Sequence, residues 1–272
     1  MAEDQKVVLV TGASSGIGKQ TAILLAKKGW KVYGTSRSKK KPMSLDDATV
    51  SMLVMDVNDD SSVEKAVTEV ISECGRIDAV VNNAGFGIAG SIEETSNESA
   101  HSQLETNFFG MHRVIREVAK IMRTQGSGTI INVSSIGGVV GLPYQGFYSA
   151  SKFAVEGYSE ALRMELKQFG ISVVLIEPGD IATEFTARRK NQISTSSAYK
   201  ESFNRVMAIV EHDETSGCSP DLVAKTIVKA LEKKNPKMRY RVGAFSQKFV
   251  CTLKRILPAR SIEWILSKYY KV

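Results

Sequence analysis

The sequence predicts an α/β fold: a doubly wound parallel sheet of about seven strands, with helices on both faces. Three observations carry that expectation. Short apolar runs alternate with amphipathic helical stretches from Val7 to Val242, the pattern of successive strand–helix–strand units. The early runs are apolar throughout rather than alternating, as strands buried on both faces are. No internal repeat, low-complexity tract or linker interrupts the 272 residues, a length that a single large core accommodates.

The first strand, Val7-Val8-Leu9-Val10, runs into Thr11-Gly12-Ala13-Ser14-Ser15-Gly16-Ile17-Gly18 and then an amphipathic helix ending near Gly29. Glycines between a buried strand and a helix start let backbone approach a phosphate. The helix N-terminus adds N–H groups and positive potential. The spacing, G-x-x-x-G-x-G, departs from the common dinucleotide fingerprint G-x-G-x-x-G, and a tight turn without a ligand is the competing reading. A nucleoside-triphosphate loop is disfavoured, because Gly18-Lys19 is followed by Gln20 where Ser or Thr would hold magnesium. The second strand, Lys31 to about Thr35, ends in Ser36-Arg37-Ser38, where such a fold meets the adenosine ribose. An acidic residue there would bind the 2′-hydroxyl of NAD. Arg37 is placed to meet a 2′-phosphate instead, with Ser36 leaving room, and this favours NADP(H).

A third strand, Val50 to Met55, stops at Asp56-Val57, where the carboxylate is placed to accept from the adenine amino group. Asp59, Asp60 and Ser61 offer caps for the helix that follows, up to Gly75. The fourth strand, Ile77 to Val81, ends in Asn82-Asn83-Ala84-Gly85, whose small residues and side-chain amide suit close approach to a cofactor. A helix from about Ser99 to Gln125 carries Asn107 on a face that otherwise reads as core. A buried asparagine needs partners, so Asn107 is either a structural tie or part of a relay. The fifth strand, Thr129 to Val133, leads to Ser134-Ser135, and Pro143 separates these from a helix reaching Gly170. The sixth, Ile171 to Ile176, leads into Pro178-Gly179-Asp180-Ile181-Ala182-Thr183, a stretch also assigned to cofactor contact. Residues 184–217 are polar and serine-rich with a weak helix in the second half, and read as a mobile substrate lid. Ser219-Pro220 opens another helix, and Met238 to Val242 is the seventh strand.

The helix after Pro143 presents Tyr148 and Lys152, four apart and so one turn apart on one face. A free phenol titrates near ~10, too high for fast proton transfer at neutral pH, and a neighbouring ammonium is expected to bring it down. Ser135 and Tyr148 fall at the carboxyl ends of the central strands, where both could donate to oxygen as a carbonyl becomes an alkoxide. The apolar Val139, Leu142, Tyr144, Phe147 and Phe185 are the candidate substrate pocket; they could equally be core.

The net charge of +7 is unevenly placed: from Lys225 onward there are 13 Lys/Arg against Glu232 and Glu263, leaving 23 basic and 27 acidic residues before it. That excludes a uniformly basic nucleic-acid binder. Cys74, Cys218 and Cys251 are scattered, and His101, His112 and His212 show no ligand spacing, so neither a disulfide framework nor a metal site is expected. The N-terminus is polar through Lys6 and no run of 18 apolar residues exists, so no ordinary signal peptide or spanning helix is expected and a cytoplasmic protein fits. Residues 244–272 form a basic extension. Phe245, Phe249, Leu253 and Ile256 share one helical face; Ile262, Ile265, Leu266 and Tyr269 share another, with Pro258 between. This segment is expected to dock on its own domain or a partner subunit, or to meet an anionic membrane surface.

Over about the first 243 residues the chain resembles the short-chain dehydrogenase/reductase family. The matching positions are the glycine stretch Thr11 to Gly18, Asp56, Asn82-Asn83-Ala84-Gly85, Asn107, Ser135, Tyr148-x-x-x-Lys152 and Pro178-Gly179. The resemblance implies a Rossmann fold and carbonyl–alcohol interconversion with Tyr148 as general acid/base. It also implies that Lys152 lowers the phenol's pKa and holds the nicotinamide ribose, that Ser135 orients the carbonyl, and that Asn107 maintains a proton relay through water. Cofactor contacts are implied at Gly12, Ser14, Ser15, Gly16, Ile17, Gly18, Arg37, Asp56, Val57, Asn83, Ala84, Gly85, Pro178, Gly179, Ile181 and Thr183. A homodimer or homotetramer is implied as well. Val-Ser-Ser-Ile-Gly-Gly with Gly-Leu-Pro-Tyr is similar to the steroid and retinol branch, like 17β-hydroxysteroid dehydrogenases, which implies an apolar substrate. Reductases of small polar ketones or of acyl-dihydroxyacetone phosphate look alike at this level. A non-enzymatic NADP(H)-binding sensor or scaffold is the alternative class, and it would have no use for Ser135, Tyr148 and Lys152 together.

Overall fold

The structure, a computed structural model, describes residues 5–38, 41–45 and 48–272; of the polar N-terminal stretch, residues 1–4 lie outside the described residues. In chain order the sheet-forming segments are β1 (Val7–Val10), β2 (Lys31–Ser36), β3 (Met43–Leu45), β4 (Ala48–Val54), β5 (Ala79–Asn82), β7 (Gly128–Val133), β8 (Ile171–Pro178) and β10 (Arg239–Val242). Two short strands, β6 (Ile88–Gly90) and β9 (Lys190–Gln192), pair separately in parallel. The main sheet has eight strands in the order β10-β8-β7-β5-β1-β2-β4-β3. Seven of them correspond to the predicted strands. The eighth, β3, pairs antiparallel with β4 at the edge; three residues are too few to show a period, so the sequence did not announce it.

Residues of β1 alternate between two cores, as strand geometry requires. Val7 and Leu9 face one core with Val67 of α2 (Asp60–Cys74), Val114 of α4 (Gly110–Gln125) and Val155 of α5 (Gly146–Leu166). Val8 and Val10 face the other, with Ala22 of α1 (Gly16–Lys27) and Ile227 of α7 (Pro220–Leu231). Chain order reverses between β1 and β5, and the crevice beyond the carboxyl ends at such a switch point is where ligands bind in open α/β sheets.

The expected single helix from Ser99 to Gln125 is divided. α3 (Asn97–Leu104) passes into a π-helical turn, Glu105–Phe109, before α4. Turns of this kind gather at functional sites, and this one carries Asn107. Residues 184–217, the expected lid, contain β9 and a helix, α6 (Lys200–Thr215). Two further helices, α8 (Phe245–Leu253) and α9 (Ala259–Tyr270), make up the extension. Among the described residues no helix is long and apolar enough to cross a membrane.

Candidate active site

The glycine turn fits a dinucleotide phosphate. Gly12 and Gly16 hold φ of +65° and +53°, values that L side chains avoid. A Cβ on Gly18 would stand 2.4 Å from the Gly12 carbonyl oxygen, so only glycine lets α1 start so close to β1. Ser15 is the N-cap residue, yet its hydroxyl caps none of the helix's first N–H groups, which leaves that end available to an anion. The β5 end is pinned against the turn. Thr11 Oγ1 accepts from Asn83 N and Ala84 N, each at 2.9 Å, while Asn83 Nδ2 donates to the Thr11 and Gly12 carbonyls at 3.0 and 3.2 Å. Ser14 and Ile17 are half-buried, Ile17 packing on the core beneath. Gly85 lies against Asn107 Oδ1, which a Cβ there would approach to 3.0 Å.

Arg37 stands exposed past the end of β2. Asp56 follows β4, and its Oδ1 accepts from Asn58 N at 3.0 Å. Two residues assigned to the cofactor turn their side chains into the protein. Val57 packs where a Cβ on Gly110 would meet it at 2.7 Å, and Ile181 is buried in the core shared by α1 and α7. Pro178 ends β8. The smallness of Gly179 serves the extension, since a Cβ there would stand 2.0 Å from Gln247 Oε1. Gln247 also accepts from Asp180 N at 3.2 Å and donates to the Asp180 carboxylate.

At the head of α5 the structure brings Ser135, Tyr148 and Lys152 together. Ser135 is buried and accepts from Gly137 N at 3.0 Å. Its hydroxyl stands near the Tyr148 ring beside Gly137 and draws the phenol's pKa down, but burial is the larger effect and pushes it up to about 12. The ring retains some accessible surface, yet protein atoms crowd it closely enough for desolvation to dominate. Lys152 does not produce the lowering expected of it. Its Nζ sits 5.9 Å from the centre of the phenol ring and donates instead to the Val133 carbonyl at 2.9 Å. Burial pushes this ammonium down to about 8, with Glu156 acting against the shift.

Asn107 is buried in the π-turn and shows the tie of the two roles left open. It accepts from Phe86 N at 3.0 Å and donates to the Phe86 carbonyl at 3.0 Å and to Ser151 Oγ at 3.1 Å. Ser151 in turn donates to the Tyr148 carbonyl at 2.7 Å. Gln103, which the sequence reading missed, repeats the pattern one turn earlier: Ile88 N donates to it at 2.8 Å and it donates to the Phe86 carbonyl at 2.7 Å. A second amide four residues before Asn107 was the available signal.

The proposed pocket residues separate. Phe185 lies over the phenol, ring centres 5.7 Å apart, and crowds Gly87, where a Cβ would meet it at 3.0 Å. Leu142 reaches the same corner, 3.3 Å from a Cβ built on Gly137. Phe147 is half-buried at the start of α5. Tyr144, at φ +59°, meets Phe203 and Tyr199 edge-on and hydrogen-bonds Ser202, so its ring packs on the apolar cluster of α6. Val139 opens onto a groove with Phe153 and Lys254 under the extension. Within the lid, Arg189 pairs with Glu214, which also accepts from Thr186; this buried pair, distant in sequence, was not foreseen.

The short chain dehydrogenase family profile matches residues 6–194. The chain is 46% identical over 269 residues to 3-ketodihydrosphingosine reductase of Bacteroides thetaiotaomicron, covering 98% of each. It is 33% identical over 282 residues to retinol dehydrogenase 8 of Bos taurus, covering 96% of this chain and 89% of that one. A solved short-chain dehydrogenase from Streptomyces avermitilis superposes with a TM-score of 0.82 at 31% identity, over 99% of this chain and 97% of its own. ElxO, solved with NADP bound, gives 0.73 at 28% identity over 88% and 96%. With the Ser135–Tyr148–Lys152 cluster set beside the glycine turn, these likenesses show that the chain belongs to the short-chain dehydrogenase family, oxidoreductases that use a nicotinamide cofactor to interconvert carbonyls and alcohols.

Proposed function

We propose that this protein is an NADP(H)-dependent reductase of a bulky, lipid-like ketone, with a 3-ketodihydrosphingosine-type substrate the foremost candidate. One observation carries the reading: the Ser135 hydroxyl and the Tyr148 ring converge on Gly137 beneath Phe185, at the same end of the sheet as a phosphate-fitting turn. The nicotinamide supplies the hydride, and Gly12, Gly16, Gly18 and Arg37 are the residues that would hold its dinucleotide. Ser135 and Tyr148 donate to the substrate oxygen as negative charge develops on it. A phenol pushed up to about 12 keeps its proton at ordinary pH, so Tyr148 can give that proton to the alkoxide formed when a carbonyl is reduced. Lys152 adds positive charge behind the phenol while it remains protonated. The apolar cover of Phe185 and Leu142 suits a ligand without charge at the reacting end. The names of the 46%-identical reductase and of the retinol dehydrogenase also support a lipid-like substrate.

The reading divides the chain into a catalytic unit, 1–243, with a lid over 184–217, and an extension, 244–272. Exposed Phe245, Phe249 and Ile256 lie in the same segment as Lys248, Lys254 and Arg255, which supports peripheral contact of a cytoplasmic protein with an anionic membrane, where a lipid-like substrate resides. Exposed Phe109, Phe153 and Met164, on or beside α4 and α5, support a homodimer or homotetramer.

The test is loss of NADPH absorbance with 3-ketodihydrosphingosine beside steroid, retinoid, sugar and acyl-dihydroxyacetone-phosphate carbonyls. Turnover of the sphingoid ketone with NADPH well above NADH is expected, and Arg37→Ala should erase the cofactor preference at a cost of about 1.5–3 kcal/mol. Turnover of sugars alone would overturn the substrate assignment. Cofactor binding without turnover on any carbonyl would favour the sensor reading.

A further inference from the structure

We infer that Arg188 of the lid is a cofactor-binding residue, its guanidinium meeting the pyrophosphate and so tying the lid to the bound dinucleotide. This rests on the nicotinamide reading above and adds a residue to it. Arg188 donates through one NH to Ser15 Oγ at 2.9 Å, across 173 residues of sequence, while its other terminal nitrogen pairs with Glu184 in its own turn. Ser15 is the N-cap residue of α1, and its hydroxyl serves the lid arginine instead of the helix. A second contact brings the start of the lid to the same place: a Cβ on Gly16 would stand 3.4 Å from Thr183 Cβ.

Two positive features are thereby set side by side, a guanidinium and the positive end of a 12-residue helix. Glu184 partly offsets the guanidinium's charge, and an anion between the guanidinium and the helix end would meet both at once. A phosphate oxygen is also a stronger partner for the guanidinium than a neutral hydroxyl, through charge-assisted and bidentate bonds. Of the cofactor's phosphates the pyrophosphate is the one in reach, because Ser15 belongs to the glycine turn after β1, while the 2′-phosphate position lies by Arg37 at the end of β2. Three residues before Arg188, Phe185 covers the phenol. Fixing Arg188 on the pyrophosphate would therefore also fix Phe185, the wall of the substrate site.

Binding titrations of NADPH, NADH and ADP-ribose to the wild type, Arg188→Gln, Arg188→Lys and Arg37→Gln test this without turnover. Arg188→Gln should weaken all three ligands by a similar factor, roughly five- to thirtyfold. Arg188→Lys should recover part of the loss, and the salt dependence of binding should fall in Arg188→Gln. Arg37→Gln should weaken NADPH alone. Unchanged affinities in Arg188→Gln would overturn the inference, and so would a loss confined to NADPH, which would place the arginine on the 2′-phosphate. If the wild type bound none of the three ligands, the nicotinamide reading itself would fall, and this inference with it.

Discussion

Lys152 is an ammonium held at 7% exposure with a carbonyl oxygen for company, and the fold gives up stability to keep it. Its proton is lost near pH 8 in the folded chain, against an ordinary value of 10.5. Below about 8 both folded and unfolded chains are protonated, and the burial penalty is present in full. Between about 8 and 10.5 the unfolded chain binds more protons, so this residue makes the fold more stable as pH rises through that window. Lys152→Met should therefore abolish turnover, raise the melting temperature at pH 7 by an amount corresponding to about 1–3 kcal/mol, and flatten its rise between pH 8 and 10. A variant that melts at or below the wild-type temperature with an unchanged pH slope would show that the ammonium is not the strained group. Tyr148→Phe removes only the ionisable oxygen, so turnover should fall by about two to four orders of magnitude with NADPH affinity nearly unchanged. Retention of a large share of wild-type kcat would displace Tyr148 as the proton donor.

At the scale of elements, the π-turn at Glu105–Phe109 decides how α5 meets the β5 loop. It turns Asn107 inward, where the amide serves both backbone groups of Phe86 and reaches α5 through Ser151. Asn107→Ala leaves the Phe86 N–H without its partner in a largely dry place, at about 1–3 kcal/mol, while the Phe86 carbonyl keeps Gln103. The variant should melt several degrees lower and lose kcat more than cofactor affinity, because Tyr148 shifts with α5 while the glycine turn does not. Equal losses of kcat and cofactor affinity would mean that the tie supports the whole sheet edge rather than α5.

For the whole molecule, the extension is the element whose placement changes the functional account. Gln247 bonds the Asp180 turn, Cys251 and Ile262 are buried, and Tyr270 joins the lid's apolar cluster with Phe203. Of the expected apolar face of Phe245, Phe249, Leu253 and Ile256, two residues are largely exposed: Phe245 at 78% and Ile256, past the end of α8, at 74%. Phe245 stacks on Phe249 with ring centres 5.9 Å apart. Docking thus uses one face, and the proposed membrane contact would use the other. The full chain should sediment with anionic vesicles at low salt and release at high salt, where screening weakens its cationic contribution. Serine at 245, 249 and 256 together should abolish sedimentation without changing the melting temperature, since these side chains bury little. A wild type that stays in the supernatant at low salt would leave the exposed aromatics to another partner.

The sequence by itself determined the alternation of buried strands and helices, the glycine turn, and the spacing of Ser135, Tyr148 and Lys152. Each of these is written in local period or local steric need: apolar runs between helices, glycine where φ is positive, four residues per turn of one face. Tertiary structure decided what depends on residues far apart in the chain. Burial overrode the expected lowering of the phenol, because desolvation is set by everything packed around Tyr148 and not by its neighbour one turn away. The π-turn had no local signature beyond Gln103 and Asn107. The side chains of Val57, Tyr144 and Ile181 pack into the protein because strand register and tertiary packing, not sequence position, aim a side chain. The docked face of the extension was fixed by Gln247 meeting Asp180 beside Gly179, a polar contact that apolar periodicity cannot foresee.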